Sequence, residues 1–202
     1  MSDQRPYAAL LAKGEDRKVR IIAVAQQLLV RNGWRSTTLE QIARGAGISP
    51  AGLLHHFESK EQLLYAVLDD RDAYDDVNAD TQGDIPEQVG RTANRFHGAP
   101  DLIGMFAIVL VENLDPDAPL RERLLGRYRA SVDMIADGIR HGQQEGRYRT
   151  DVDPRVKARE ILAFITGMEM SWLLDRSIPV SEVFQEYATS LARQLAPPAD
   201  AS

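Results

Sequence analysis

The sequence predicts an all-α fold, and three observations predict it. Apolar residues recur at helical spacing along most of the chain. Capping residues open the runs, and Gly or Pro closes them. No stretch alternates as a half-buried strand would, and no internal repeat is present. With 202 residues, 44% of them hydrophobic, the chain can bury a sizeable core in one or two domains.

The elements follow in order. Residues 1–14 have little periodicity and read as a flexible arm. A helix is expected from Glu15: Val19, Ile22, Ala23, Gln26 and Val30 trace one stripe, which Ile21, Ala25, Leu28 and Leu29 widen. Asn32-Gly33 ends it, with Trp34 packing back over the last turn. Thr38 then caps a short helix, and Gln41 three residues on completes a capping box. Leu39, Ile42, Ala43 and Ala46 share its apolar face, and Gly47 supplies the left-handed backbone that stops it. Ser49 and Pro50 start the next helix, with Leu53 and Phe57 on one face. Two short helices joined by a Gly-containing turn form a helix-turn-helix, whose second helix can enter the major groove. The pattern alone also fits an ordinary helical hairpin in a bundle.

A second capping box, Ser59 to Gln62, opens a helix from Lys60 to about Ala79. Its apolar Leu63, Leu64, Val67 and Leu68 give way to Asp69, Asp70, Asp72, Asp75 and Asp76, and Gly83 and Pro86 follow, a shift that suits a domain boundary. Glu87–His97 is a weakly amphipathic helix. Pro100 opens another, and its nearly all-apolar Leu102–Leu114 is expected to be buried all round. Asp115–Pro119 is a turn, and Leu120 to about Glu145 is long and amphipathic. Asp153-Pro154 starts a helix to about Asp175. Ser181 is expected to cap the last helix, which Ala196-Pro197-Pro198 stops, and the tail 197–202 to be disordered.

Charge and composition narrow the function classes. The net charge of −6 is unevenly spread: residues 1–60 hold nine Lys/Arg against five Asp/Glu (+4), and residues 61–202 hold 15 against 25 (−10). A basic end on an acidic body suits a small DNA-binding module attached to something else. The absence of cysteine removes disulfides, thiolate nucleophiles and Cys-based zinc sites. No apolar run approaches the roughly 18–20 residues of a membrane span, and the N-terminus lacks a signal-peptide core; a cytoplasmic protein with no membrane partner is expected. No Gly-rich phosphate loop, nucleophile elbow or HExxH pattern occurs. His55 and His56 are adjacent on a helix and point about 100° apart, so they chelate poorly. No enzyme, metal or cofactor is expected.

Over roughly Arg17 to Val67 the chain resembles the TetR (tetracycline-repressor) family of bacterial transcriptional regulators. The residues that carry the resemblance are Asn32-Gly33-Trp34, Thr37-Thr38, Ile42-Ala43, Ala46-Gly47-Ile48-Ser49, Leu53, His55-His56-Phe57 and Ser59-Lys60-Glu61, in the family's order and spacing. The resemblance implies a helix-turn-helix DNA-binding domain over 15–62 (motif 38–57) and a helical ligand-binding and dimerisation domain over 63–196. It implies a homodimer through the last two helices, a double-stranded DNA operator, and a small-molecule effector that releases a repressor. An activator or ligand-independent DNA binder is the alternative, followed by an all-helical enzyme or adaptor. Residues Gly146 to Met170 resemble, more faintly, the C-terminal domain of betaine-aldehyde-pathway repressors, from which no ligand follows.

The residues themselves supply the candidates for DNA contact. Ala51 and Gly52 are small enough for close backbone approach. Ser49, His55 and His56 can bond phosphates or base edges. Thr37 and Thr38 lie at a helix N-terminus suited to phosphate, as does Lys60 at the next one, with Arg35 and Arg44 as neighbours. Thr38 and Ser49 also serve simply as caps, and His56 can pack internally. The family often places Lys where Pro50 stands and a phosphate-contacting Tyr where Leu54 stands; Leu54 can instead touch a thymine methyl. In the body, Glu112 and Asn113 interrupt an apolar helix and Glu169 another. Buried carboxylates need partners, so these are candidate ligand handles. Phe96, Met105, Phe106, Val109, Tyr128, Phe164, Met168 and Trp172 are candidate walls of the pocket, each also explicable as core.

Overall fold

The computed structural model describes the backbone of residues 5–78, 84–98 and 100–198, and their side chains except those of 5–15 and 71–78. Among the described residues every regular element is a helix: α1 (Arg5–Ser36), α2 (Leu39–Ala46), α3 (Pro50–Leu54), α4 (Lys60–Asn78), α5 (Ile85–Arg91), α6 (Asn94–Gly98), α7 (Pro100–Glu112), α8 (Arg121–Gln144), α9 (Pro154–Leu174) and α10 (Val180–Leu195). None of these is long and apolar enough to cross a membrane. The chain divides into two compact units, Met1–Asn78 with Gly104–Leu120, and Ala79–Ile103 with Arg121–Ser202.

In the first unit α1 packs on α2 and α4, and α2 packs on α3. The apolar stripes explain this. Ile21, Ala25 and Leu29 of α1, Ile42 and Ala43 of α2, Leu53, Phe57, and Leu63, Leu64, Val67 and Leu68 of α4 are all buried. Met105, Val109 and Leu120 are buried in the same unit, which thus takes in most of a helix that the 15–62 and 63–196 division assigns to the body.

In the second unit α8 packs on α9, and α5 packs on α10 and α8. Edge-to-face aromatic pairs fill its core: Phe96 with Trp172 (5.3 Å) and Phe184 (5.4 Å), and Phe164 with Phe184 (5.2 Å). Phe164 also stacks on Tyr187 at 3.7 Å. The Tyr148 ring lies flat on α8 at Gly142, and its hydroxyl accepts the Ile85 N–H at 3.0 Å, satisfying a donor at the start of α5.

Several elements depart from the sequence reading. Helical backbone begins at Arg5, not Glu15, because Pro6 suits a first turn and Ala8 to Lys13 are strong helix formers. Residues 1–4 of the expected arm and 199–202 of the expected tail lie outside the described residues. The expected Glu87–His97 helix is two, α5 and α6, parted at Thr92-Ala93, where the Thr92 N–H bonds Val89 O in a tightened turn and its hydroxyl bonds Gln88 O. Ser181 does not cap α10: the helix starts one residue earlier, and Pro179 stands at the cap position with no side-chain bond. The expectation that Leu102–Leu114 is buried all round fails at its end, where Val111 and Leu114 are 60% and 56% exposed.

Candidate nucleic-acid interface

The helix-turn-helix forms as its caps direct. The Thr38 side chain accepts the Gln41 N–H at 3.2 Å while the Gln41 side chain accepts the Thr38 N–H at 2.9 Å. Gly47 ends α2 at φ 69°, and its N–H returns to Ala43 and Arg44 carbonyls. Ser49 accepts the Gly52 N–H at 3.0 Å, with Pro50 opening α3. The second box is reached only in part: Ser59 accepts the Gln62 N–H at 3.1 Å, but Gln62 reaches back to Glu58 and not to Ser59.

Leu53 is wholly buried and locks α3 onto the unit, so α3 presents its other side outward: Pro50, Ala51, Leu54 and His55 are exposed, and Gly52 is half-buried. Arg35, Thr38, Arg44 and Ser49 are also exposed. His56 is half-buried and meets the His55 ring edge-on at 5.8 Å. Burial pushes its pKa down, and the charges of His55, Arg17 and Lys18 push it the same way. Arg17 and Lys18 of α1 therefore stand near the recognition helix, a placement that no helix-turn-helix pattern announces.

One candidate contact is corrected. Thr37 is completely buried, and its hydroxyl donates to Gly33 O at 2.7 Å, so it braces the α1–α2 corner and cannot meet a phosphate. Lys60 acquires a partner the sequence does not show. Its ammonium donates to Trp34 O at 2.5 Å and sits 4.0 Å from the Trp34 ring centroid. Burial lowers its pKa, opposed by Glu61 and Glu112. An ammonium has three donors, so two remain for a phosphate.

The candidate ligand residues divide between the units. Met105, Phe106, Val109, Glu112 and Asn113 belong to the first, and Phe96, Tyr128, Phe164, Met168, Glu169 and Trp172 to the second. Asn113 is consumed locally: its amide donates to Val109 O at 2.7 Å and its carbonyl accepts the Leu120 N–H at 3.4 Å. Glu112 accepts the Trp34 N–H at 2.6 Å. Both help line a cleft of about 350 Å³ with Trp34, Arg35, Asp115, Asp117, Ala118 and Pro119. In the second unit Phe96 and Trp172 are buried in the aromatic core, with Phe164 and Met168 packed against it. Glu169 is 5% exposed and pairs with Arg95 at 3.7 Å. Tyr128 is exposed. The sequence reading missed Arg95, which lies on a different helix 74 residues away, and no local spacing could have revealed it.

A helical unit presenting a capped α3 outward defines a helix-turn-helix DNA-binding regulator. The profile of the bacterial regulatory proteins of the tetR family matches residues 21–67, and that of the tetracyclin repressor-like C-terminal domain matches residues 105–188. A DNA-binding transcriptional repressor, TetR, of Mycobacteroides abscessus is 29% identical over 146 residues, covering 62% of this chain and 76% of that one. The fold matches a TetR transcriptional regulator from Chloroflexus aurantiacus with a TM-score of 0.77 at 23% identity, over 92% of this chain and 98% of that one. It also matches the transcriptional regulator FadR from Bacillus subtilis, solved in complex with stearoyl-CoA, with a TM-score of 0.74 at 16% identity, over 88% and 98%. The chain belongs to the TetR family of transcriptional regulators.

Proposed function

We propose that this regulator is a cytoplasmic repressor that binds a near-palindromic operator as a homodimer and leaves it when a small molecule binds the body. The observation that carries the reading is the outward side of α3, where Pro50, Ala51, Leu54 and His55 stand exposed while Leu53 alone anchors the helix. Leu54 offers an apolar contact to a thymine methyl and His55 a polar one to a base edge, whereas Thr38, Ser49, Lys60, Arg35 and Arg44 serve the phosphates, with His56 beside them. The FadR of Bacillus subtilis, whose fold this chain shares, was solved with stearoyl-CoA, which supports a ligand site in the body without naming this protein's ligand.

Dimerisation through α9 and α10 is supported by the surface of α9. Ala163, Gly167 and Ser171 form an exposed small-residue stripe, bracketed by Val156 and Leu174, which are 56% and 92% exposed. Such a stripe lets another helix approach closely in an isologous contact. The test is a gel shift and footprint on DNA upstream of the protein's own gene, with sedimentation of the complex. A protected two-fold site bound by a dimer is expected; a monomer at micromolar concentration on DNA, or no protection, would refute it.

A further inference from the structure

Trp34 is held by both of its backbone polar groups. Gly33 departs from helical geometry (φ 75°, ψ 169°), which turns the Trp34 N–H out of the α1 ladder and toward Glu112. The Glu112 carboxylate accepts that N–H at 2.6 Å, a charge-assisted bond spanning 78 residues of sequence. Its other oxygen would stand 2.8 Å from a Cβ at position 33, so a side chain there would push the carboxylate aside, and the positive φ of Gly33 disfavours one in any case. The Lys60 ammonium takes the Trp34 carbonyl at 2.5 Å. Trp34 lies in the last turn of α1, past the kink at Gly33 and just ahead of the Thr38 cap of α2, so whatever fixes Trp34 fixes the entry of the helix-turn-helix.

Glu112 is also an unusual residue for its place. It closes α7, and the last turn of that helix carries no basic residue. An anion at a helix C-terminus opposes the helix dipole. The carboxylate is held by the Trp34 N–H and not by its own helix. Finally, α7 begins at Pro100–Ile103 in the second unit and runs without a break to Glu112 in the first.

We propose that Glu112 is a latch: by accepting the Trp34 N–H it ties the end of α7 to the hinge ahead of the helix-turn-helix, and so sets the fraction of molecules whose recognition helix is placed for DNA. The inference rests on the DNA-binding function given above. Apparent affinity scales with that competent fraction, so a latch that raises it tenfold tightens binding tenfold.

The experiment compares the full-length wild type with Glu112→Ala, which removes the acceptor, and Glu112→Gln, which keeps one. DNA is selected from a random pool by the wild type and its Kd is measured for all three proteins. Hydrogen–deuterium exchange of the peptide spanning Trp34 and thermal melting are measured on the same samples. Glu112→Ala should raise Kd about tenfold and speed exchange at Trp34 by a similar factor, while Glu112→Gln stays within about threefold on both. Melting temperatures should agree within about 6 °C. Unchanged exchange at Trp34 in Glu112→Ala, or faster exchange with unchanged Kd, would overturn the latch. So would a large fall in melting temperature with faster exchange throughout the first unit, since that describes a merely structural residue. Failure to select any DNA would overturn the DNA-binding function instead, and the exchange comparison would still decide whether Glu112 holds Trp34.

Discussion

The buried Arg95–Glu169 pair offers a perturbation whose size follows from the structure. Glu169 is 5% exposed, beside the core that contains Trp172, and an Arg95 guanidinium nitrogen lies 3.7 Å from its carboxylate. At that separation the attraction is about 4 kcal/mol for an effective dielectric of 20, before desolvation is subtracted. Removing one partner of a buried pair typically costs about 3–5 kcal/mol, because the other charge is left uncompensated. The Arg95 side chain retains 28% exposure, and 3.7 Å is longer than a hydrogen bond, so the lower part of that range applies. Arg95→Met should therefore lose about 3 kcal/mol, or about 6–12 °C of melting temperature in a chain of this length. Glu169→Gln should lose less, about 1 kcal/mol, since the amide remains polar and the arginine can turn to water. The double variant should be less destabilised than the sum, with a coupling above about 1 kcal/mol. The assay is thermal and urea unfolding of all four proteins, with operator binding by each. A melting temperature for Arg95→Met within about 1 °C of wild type, or a coupling near zero, would refute a structural role for the pair. Glu169 would then return as a candidate contact for a cationic or hydrogen-bonding effector.

Four further outcomes are expected. Gly167→Arg should leave the folded subunit intact, because nothing lies within 4 Å of the added Cβ, but should convert a dimer to a monomer in sedimentation if α9 is the interface; a dimer that persists would move the interface elsewhere. Gly142→Ala should destabilise by about 1–3 kcal/mol in thermal melts, because its Cβ would stand 2.3 Å from the Tyr148 ring; no loss would mean the ring moves freely. Lys60→Ala should lower the slope of log affinity against log salt by about 0.9 if one of its remaining donors meets a phosphate, and weaker binding at an unchanged slope would confine Lys60 to Trp34. His56 has a folded-state pKa below the ordinary 6.5. The unfolded chain thus binds more protons near and below that value, and stability should fall as pH drops from 7.5 to 5.5. His56→Gln should flatten that slope, and identical slopes would show that His56 does not contribute.

The sequence by itself determined the parts whose causes are local. Thr38 with Gln41, Gly47, Ser49 and Pro50 act within a few residues of one another, so the start and stop of α2 and the start of α3 could be read from spacing alone. The burial of Leu53 and Phe57 followed from their shared face. Local signals failed where a helix had more than one permitted start, as at Arg5 and Val180, or where a weak stripe could break, as at Thr92. What only the tertiary structure decided depends on partners distant in the chain. Thr37 looked like a phosphate ligand until the α1 corner enclosed it. Glu169 is paired by Arg95 on another helix, and Glu112 meets a backbone N–H 78 residues away. A buried carboxylate announces that it needs a partner, because desolvation demands one, but the partner's identity is set by packing, and packing is not written in spacing.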